Sequence, residues 1–363
     1  MKAPRHSHGG CRRDFLKTTF LGGLACAASA PLSRMLRADE AATTAAAGRA
    51  ARVALTAGDD RPDNVFRGLR EFGQEIAASI GDRRVVIKPN NVNIEVQLAS
   101  THADCLEGIL EFLKSIGKLK NTVIAESAAS GPTVEGYSNF GYPAVAGRYG
   151  VPLIDLDTEE TETIFVFDQT DMQPHAVRVS RMLADRKNFI ISAAMFKTHD
   201  RVVATLSLKN IVFGAPIKDL GFRWGKGRSP GKTTQKPIAH GNGFYGINYN
   251  LFTLASRLRP DLSVLDGYAG MEGNGPAGGT PVDHRVAVVS PAWLSADRVA
   301  IELMGIDFAK VGYLNYCARA GMGEADLKQI EILGEPIERH VRQYRLHDKI
   351  QQQLVWMTLP QYS

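Results

Sequence analysis

At 363 residues the chain has room for one large domain or two ordinary ones, and its 44% hydrophobic and 22% charged content is ordinary for a globular protein. The formal charge of +5 does not mark a nucleic-acid surface. Residues 1–38 carry seven basic residues against Asp14 alone, and the rest of the chain holds 36 basic and 37 acidic residues. Without a basic footprint outside the leader, no nucleic-acid partner is expected.

The leader itself reads as an address. Arg12-Arg13-Asp14-Phe15-Leu16-Lys17 precedes a short, weakly apolar run of small residues over 20–30. A membrane span needs about 20 apolar residues, so this run predicts a cleaved signal and no stable span after cleavage. The paired arginines with Phe-Leu-Lys resemble the twin-arginine export signal, which implies that export machinery as a partner and a periplasmic or otherwise exported location. Residues 39–51 are low in complexity and read as a tether. Cys11 and Cys26 fall in the leader, leaving Cys105 and Cys317. No CxxC spacing exists, so no iron–sulfur cluster is expected from these cysteines. Two buried thiols are the expected state, with one disulfide as the alternative in an oxidising compartment.

From residue 52 the chain alternates strand and helix. Arg52–Thr56 predicts a strand, and Val65, Leu69, Phe72, Ile76 and Ile80 share one helical face. Arg84–Lys88 predicts a strand covered on both faces, ending at Pro89-Asn90-Asn91. A helix with Leu106, Ile109, Leu110 and Leu113 inward follows, then a strand over Thr122–Ala125. A short helix over Tyr142–Tyr149 and a strand over Val151–Ile154 continue the order. Thr163–Phe167 and Ala176–Ser180 interrupt it as a hairpin or edge pair. Asn188–Ser192 returns to the sheet, and a Gly-, Pro- and Lys-rich loop runs over 214–243. A helix through Ile247–Leu258, a strand over Leu262–Asp266, a polar loop over 267–283 and a strand over His284–Ser290 come next. Ser295 is expected to cap a further helix, before a last helix near Tyr313–Ala320 and a strand near Ile330–Leu333. The predicted fold class is α/β: a mostly parallel sheet with helices on both faces plus a small hairpin or edge insertion. One domain spans 52–334, and 335–363 reads as an amphipathic C-terminal arm.

In such sheets working groups lie beyond the C-terminal ends of strands. Applied here, that rule collects Lys88 and Asn90, Glu126 and Ser127, Lys197, Thr198 and His199, and Asp266. Met195–Asn210 stands out, with Lys197, His199, Lys209 and Asn210 wedged between apolar runs. Cationic and amide groups there are costly unless paired, so the stretch predicts the floor of a site for an anionic or metal-bound ligand; solvated or capping residues are the plain alternative. The Asp266–Pro276 loop packs four glycines with Asp266, Glu272 and Asn274, which fits a backbone anion nest or a hard divalent-metal pair, or else a tight surface turn. The basic run Lys218–His240 reads as a lid over an anion or as a solvated loop. It is not a P-loop, because Lys226 stands where the first glycine is required. His199, His240 and His284 lack HxH or HExxH spacing, and Ser127 lacks the G-x-S-x-G elbow.

Together these motifs resemble a bacterial and archaeal family known as domain of unknown function 362. The likeness is carried by Val86–Asn90, Ser100–His102, Phe196–His199, Thr205–Asn210, His240, Val264–Gly267, Met271–Pro276, Ser295–Asp297 and Met304–Gly305, over roughly 52–334. The resemblance adds Thr101 to the ligand-binding set. It also implies redox work in some relatives, which carry a ferredoxin-like cysteine segment that this chain lacks. The expected function is an exported enzyme or cofactor-dependent redox protein acting on a small carboxylate or phosphate. Lys197, His199 and Asp266 are its expected catalytic groups, and Lys88, Asn90, Thr101, Lys209, Asn210, Glu272 and Asn274 bind the ligand. The expected cofactor set is open, with a divalent metal at Asp266 and Glu272 as one candidate. A non-catalytic binding protein for an anionic metabolite is the alternative, and a partner-docking role for the 335–363 arm is a third.

Overall fold

Branched apolar runs set the sheet. In the computed structural model, which describes residues 50–225 and 227–358, they form strands flanked by helices. The first half contains β1 (Ala51–Ala57), α1 (Arg61–Arg70), α2 (Gly73–Ile80), β2 (Arg84–Lys88), α3 (Ala103–Ser115), β3 (Thr122–Glu126), α4 (Thr133–Asn139), α5 (Tyr142–Tyr149) and β4 (Leu153–Asp155). A hairpin of β5 (Thr161–Asp168) and β6 (Gln173–Ser180) leads through α6 (Arg181–Ala184) into β7 (Asn188–His199), β8 (Val203–Thr205) and α7 (Ser207–Val212). The remainder is α8 (Lys236–Ala239), α9 (Phe244–Ala255), β9 (Leu262–Glu272), β10 (Thr280–Ser290), α10 (Trp293–Leu303), α11 (Gly312–Arg319), β11 (Ile330–Gly334) and α12 (Ile350–Gln353).

Nine strands form one sheet in the order β11-β1-β10-β9-β7-β2-β3-β4, with β8 hydrogen-bonded to β7, while β5 and β6 form a separate pair. The block β9-β7-β2-β3-β4 is parallel, and β10 joins β1 and β9 antiparallel. The α/β class, the mostly parallel sheet and the separate hairpin agree with the sequence reading. Side chains alternate across the sheet, so Ile191, Ala193 and Val264 pack against α1, α3 and α5 on one face. Ile190, Ala194 and Leu265 pack against α7, α9, α10 and α11 on the other. Cys105 and Cys317 belong to these opposite layers, so both are buried free thiols.

Several expected boundaries move. The 61–80 segment breaks into two helices at Glu71 and Phe72, because Phe72 turns inward before Gly73. β9 continues to Glu272 and pairs with β10 from Thr280 onward, so most of the expected 267–283 loop is a hairpin. Its glycines serve packing: a Cβ at Gly267 would meet Val286 and Phe196, and one at Gly270 would overlap the Tyr344 hydroxyl. Ser295 does not cap its helix, which starts at Trp293; its hydroxyl donates to the Glu324 carbonyl at 2.8 Å. The arm is docked, with Tyr344 and Trp356 buried in the body. Among the described residues no helix is long and apolar enough to cross a membrane. The segment expected to be a twin-arginine leader, nearly all of the expected tether and Lys226 lie outside the described residues.

Candidate functional site

The chain builds β2, β3 and β4 outward in one direction, then crosses back to place β7 on the other flank of β2. The crevice beyond the ends of β2 and β7 is therefore the topological switch point, where open parallel sheets offer a ligand site. β2 ends in Lys88, β3 in Glu126 and β7 in His199. α7 and the 214–243 segment close over them, leaving a cavity of about 140 Å³ lined by Lys88, Asn90, Glu126, His199, Lys209, Asn210, Lys236 and His240 among others.

Asn210 is the hub of its floor. Its Nδ2 donates to the Lys88 carbonyl and the Ser192 hydroxyl, both at 3.0 Å, and its Oδ1 accepts from Asn90 Nδ2 at 3.1 Å and Lys88 Nζ at 3.3 Å. The short helix that carries it is capped from a distance. Asp297, fully buried on α10, accepts from the Ser207 and Leu208 amides at 2.9 and 3.1 Å. Burial pushes that carboxyl up to about 7, while the two amides pull it back. Gly214 lets the chain pass over the lysine: a Cβ there would lie 2.5 Å from Lys88 Cε.

Four buried lysines converge here, and their partners differ. Lys88 Nζ is paired with Glu126 Oε1 at 2.6 Å and donates to the Pro89 carbonyl at 2.7 Å. Lys197 Nζ donates to Asn90 Oδ1 at 2.5 Å and the Ala99 carbonyl at 2.7 Å. Lys236 Nζ is held by the carbonyls of Pro216, Gly214 and Phe213 at 2.7, 3.3 and 3.5 Å. Lys209 lies 5.3 Å from the centre of the Phe213 ring and has no hydrogen-bond acceptor among the described residues. Glu126 is the one carboxylate lining the cavity, and it is taken by Lys88. Desolvation, reinforced by Lys209, lowers the pKa of Lys197 strongly, and desolvation lowers that of Lys236 to about 7 against the charges of Glu126 and Asp157. Lys209 drops to about 8, with Asp200 opposing the desolvation.

The two histidines present different nitrogens. His240 Nδ1 donates to the Lys236 carbonyl at 2.5 Å, so Nε2 keeps its lone pair; the ring stacks on Phe213 at 4.5 Å. His199 Nδ1 accepts the Arg201 amide at 3.1 Å, which places its proton on Nε2. Desolvation and the cation of Lys209 lower both pKa values, His240 to about 3, so both rings are neutral around pH 7.

Of the residues singled out in the sequence, Lys88, Asn90, His199, Lys209 and Asn210 meet at this cavity, with Lys197 directly behind Asn90. The others go elsewhere. Thr101 is fully buried; its hydroxyl accepts the Asn90 amide at 2.8 Å and donates to the Ala193 carbonyl at 2.7 Å, so it positions Asn90 instead of facing a ligand. Asp266 sits in register with Met195 on the face toward α1, where it meets Arg61 Nε at 3.3 Å and the Tyr268 amide at 2.9 Å. Glu272 accepts the Arg345 amide at 2.9 Å, and Asn274 exchanges hydrogen bonds with Asp348 at 2.9 and 3.2 Å. Both fasten the arm, and neither forms a hard-metal pair with Asp266. Among the described residues the one carboxylate–histidine grouping with metal-like spacing is Asp168, Asp171 and His175, at the β5–β6 turn.

The sequence did not single out Lys236 as distinct from its basic loop. Nor did it foresee that Lys218 would turn inward to a buried ion pair with Asp157. Pro237 right after Lys236, with His240 one turn on, was the available signal that this part of the loop folds back. Arg223 pairs with Glu135, while Arg228 and Lys232 point to solvent, so the loop is half lining and half surface.

The chain is similar to the thylakoid-associated protein sll1697 of Synechocystis sp. (strain ATCC 27184 / PCC 6803 / Kazusa), 24% identical over 268 residues that cover 73% of this chain and 76% of that protein. No solved structure matches. Residues 85–302, which contain every residue that lines the cavity, match the family described as Domain of unknown function (DUF362), and the chain belongs to that family.

Proposed function

We propose that the protein binds a small anion, a carboxylate or phosphate group, in the switch-point cavity and acts on it as an enzyme, with His199 and His240 as proton-transfer groups. The observation that carries this reading is the charge imbalance. Lys88, Lys209 and Lys236 line the cavity, Lys197 lies behind it, and the single lining carboxylate neutralises only Lys88. Burying unpaired ammonium groups costs several kcal/mol each by general estimates, about what a bound oxyanion would offset. A divalent cation fits poorly among three lysines with Glu126 already engaged. The cavity of about 140 Å³ suits a small head group. The neutral histidines support chemistry over simple capture, because one offers Nε2–H and the other an open Nε2 lone pair.

Calorimetry of the purified protein with inorganic phosphate and with small carboxylates, against chloride, tests the reading. Saturable binding that weakens in Lys236→Met is expected, and absence of binding to either class overturns it. Binding without any turnover would support the alternative of a non-catalytic anion-binding protein. The twin-arginine leader supports export as part of the same reading. Residues 1–49 fused to a folded reporter should carry it across the inner membrane, and Arg12→Lys with Arg13→Lys should retain it in the cytoplasm.

A further inference from the structure

We propose that Lys209 is a nucleophilic amine that condenses with the carbonyl of a small 2-oxo acid, a reading that rests on the anion site proposed above. The four buried lysines are not equivalent. Three have their ammonium protons directed at acceptors: Lys88 at Glu126 and the Pro89 carbonyl, Lys197 at Asn90 and the Ala99 carbonyl, Lys236 at three backbone carbonyls. Those contacts fix the three nitrogens in place as donors, because a carbonyl or carboxylate accepts and never donates. Lys209 lines the same cavity, is only 8% exposed, and has no such acceptor among the described residues. Its nitrogen lies over the face of Phe213. An amine without an anchoring acceptor gives up no hydrogen bond when it sheds its proton, and its lone pair then opens into the cavity. The fall of its pKa to about 8 agrees.

The surroundings match a substrate that carries both a carbonyl and a carboxylate. Lys88 and Lys236 line the cavity as N–H donors for the carboxylate, and Phe213 floors the apolar remainder. In the step itself, the Lys209 nitrogen attacks the carbonyl carbon, forming the C–N bond as the C=O π pair moves to oxygen. The oxygen takes one proton from nitrogen to give the carbinolamine. The C–O bond then breaks, and oxygen leaves as water with the second amine proton, which His240 Nε2 accepts and passes on. Amine and carbonyl become imine and water, with no oxidant or reductant consumed.

The experiment is reductive trapping. Full-length protein is incubated with pyruvate or glyoxylate and borohydride at pH 8, then analysed by intact mass and peptide mapping. One adduct per chain is expected on the peptide carrying Lys209, labelled about tenfold faster than the exposed Lys187 and Lys232 and suppressed by excess phosphate. Lys209→Arg should lose this adduct, and the map of the unsubstituted protein locates it even if that variant fails to fold. If phosphate or carboxylate binds by calorimetry but Lys209 labels no faster than exposed lysines, the imine is overturned and the anion site stands. If neither binding nor selective labelling occurs, both fall.

Discussion

Met195–Asn210 and Asp266–Pro276 look alike in the sequence, since each loads charged and amide side chains onto the end of a buried strand. The tertiary structure treats them oppositely. In the first, the acceptors run out before the cations do, and Lys209 is left facing a cavity. In the second, every group singled out has a protein partner: Asp266 has Arg61 and the Tyr268 amide, Glu272 has the Arg345 amide, Asn274 has Asp348. A polar strand end is thus a site when its hydrogen bonds fail to close within the protein, and a clasp when they do close.

That contrast is open to breakage, starting where the effect is largest. Lys88→Ala leaves the Glu126 carboxylate buried without its cation, and should cost about 3–5 kcal/mol in urea unfolding. Lys209→Met at the same cavity should be neutral in stability or raise it by about 1 kcal/mol, since no partner is stranded. The same variant should weaken phosphate or carboxylate binding by about tenfold to a hundredfold in calorimetry. If Lys209→Met instead destabilised the fold as Lys88→Ala does, the claim that it faces a ligand would lose its basis.

Proton linkage sharpens the comparison further. Lys236 and Lys209 have folded-state pKa values of about 7 and about 8, both below the ordinary lysine value. The unfolded chain therefore holds more protons above those values. The ligand-free protein should gain stability as pH rises from about 7 toward the ordinary lysine range. Anion affinity should run the other way, declining through about pH 7 as Lys236 loses its charge and through about pH 8 as Lys209 does. Calorimetry from pH 6 to 9 checks the slope, and affinity that rises with pH would contradict it. The smallest effect belongs to the clasp. Glu272→Gln weakens a partly exposed contact with Arg345 and should cost less than about 1 kcal/mol while leaving anion affinity unchanged.

Much of the site was legible because topology constrains it. Lys88, Asn90 and His199 follow from the rule that strand C-termini carry function, once the strands are located by their branched apolar runs, and Lys209 and Asn210 from their place in a polar stretch between apolar runs. Thr101 was misplaced for a local reason: its hydroxyl sits one layer deeper and holds the Asn90 amide. His240 was noticed only as a possible metal ligand, and Lys236 was lost in a basic loop whose other members face solvent. Nothing in that loop's periodicity tells an inward lysine from an outward one. Asp297 belonged to a recognised motif, but its role as a cap for α7 spans 89 and 90 residues of sequence to Leu208 and Ser207, beyond any capping pattern read along the chain.

By itself the sequence determined the alternation of strands and helices, the α/β class and the strand ends where chemistry gathers. These depend on hydrophobic period and local turn residues, both encoded within a few positions. Only the tertiary structure decided which strand flanks which, and hence that β2 and β7 open the switch point between them. It also decided which polar groups find partners across long separations, because hydrogen-bond closure is a property of packed neighbours and not of adjacent residues. Arg61 reaches Asp266 and Arg345 reaches Glu272, so those acids are silent. No acceptor among the described residues reaches Lys209, and that difference is what supports the proposed site there.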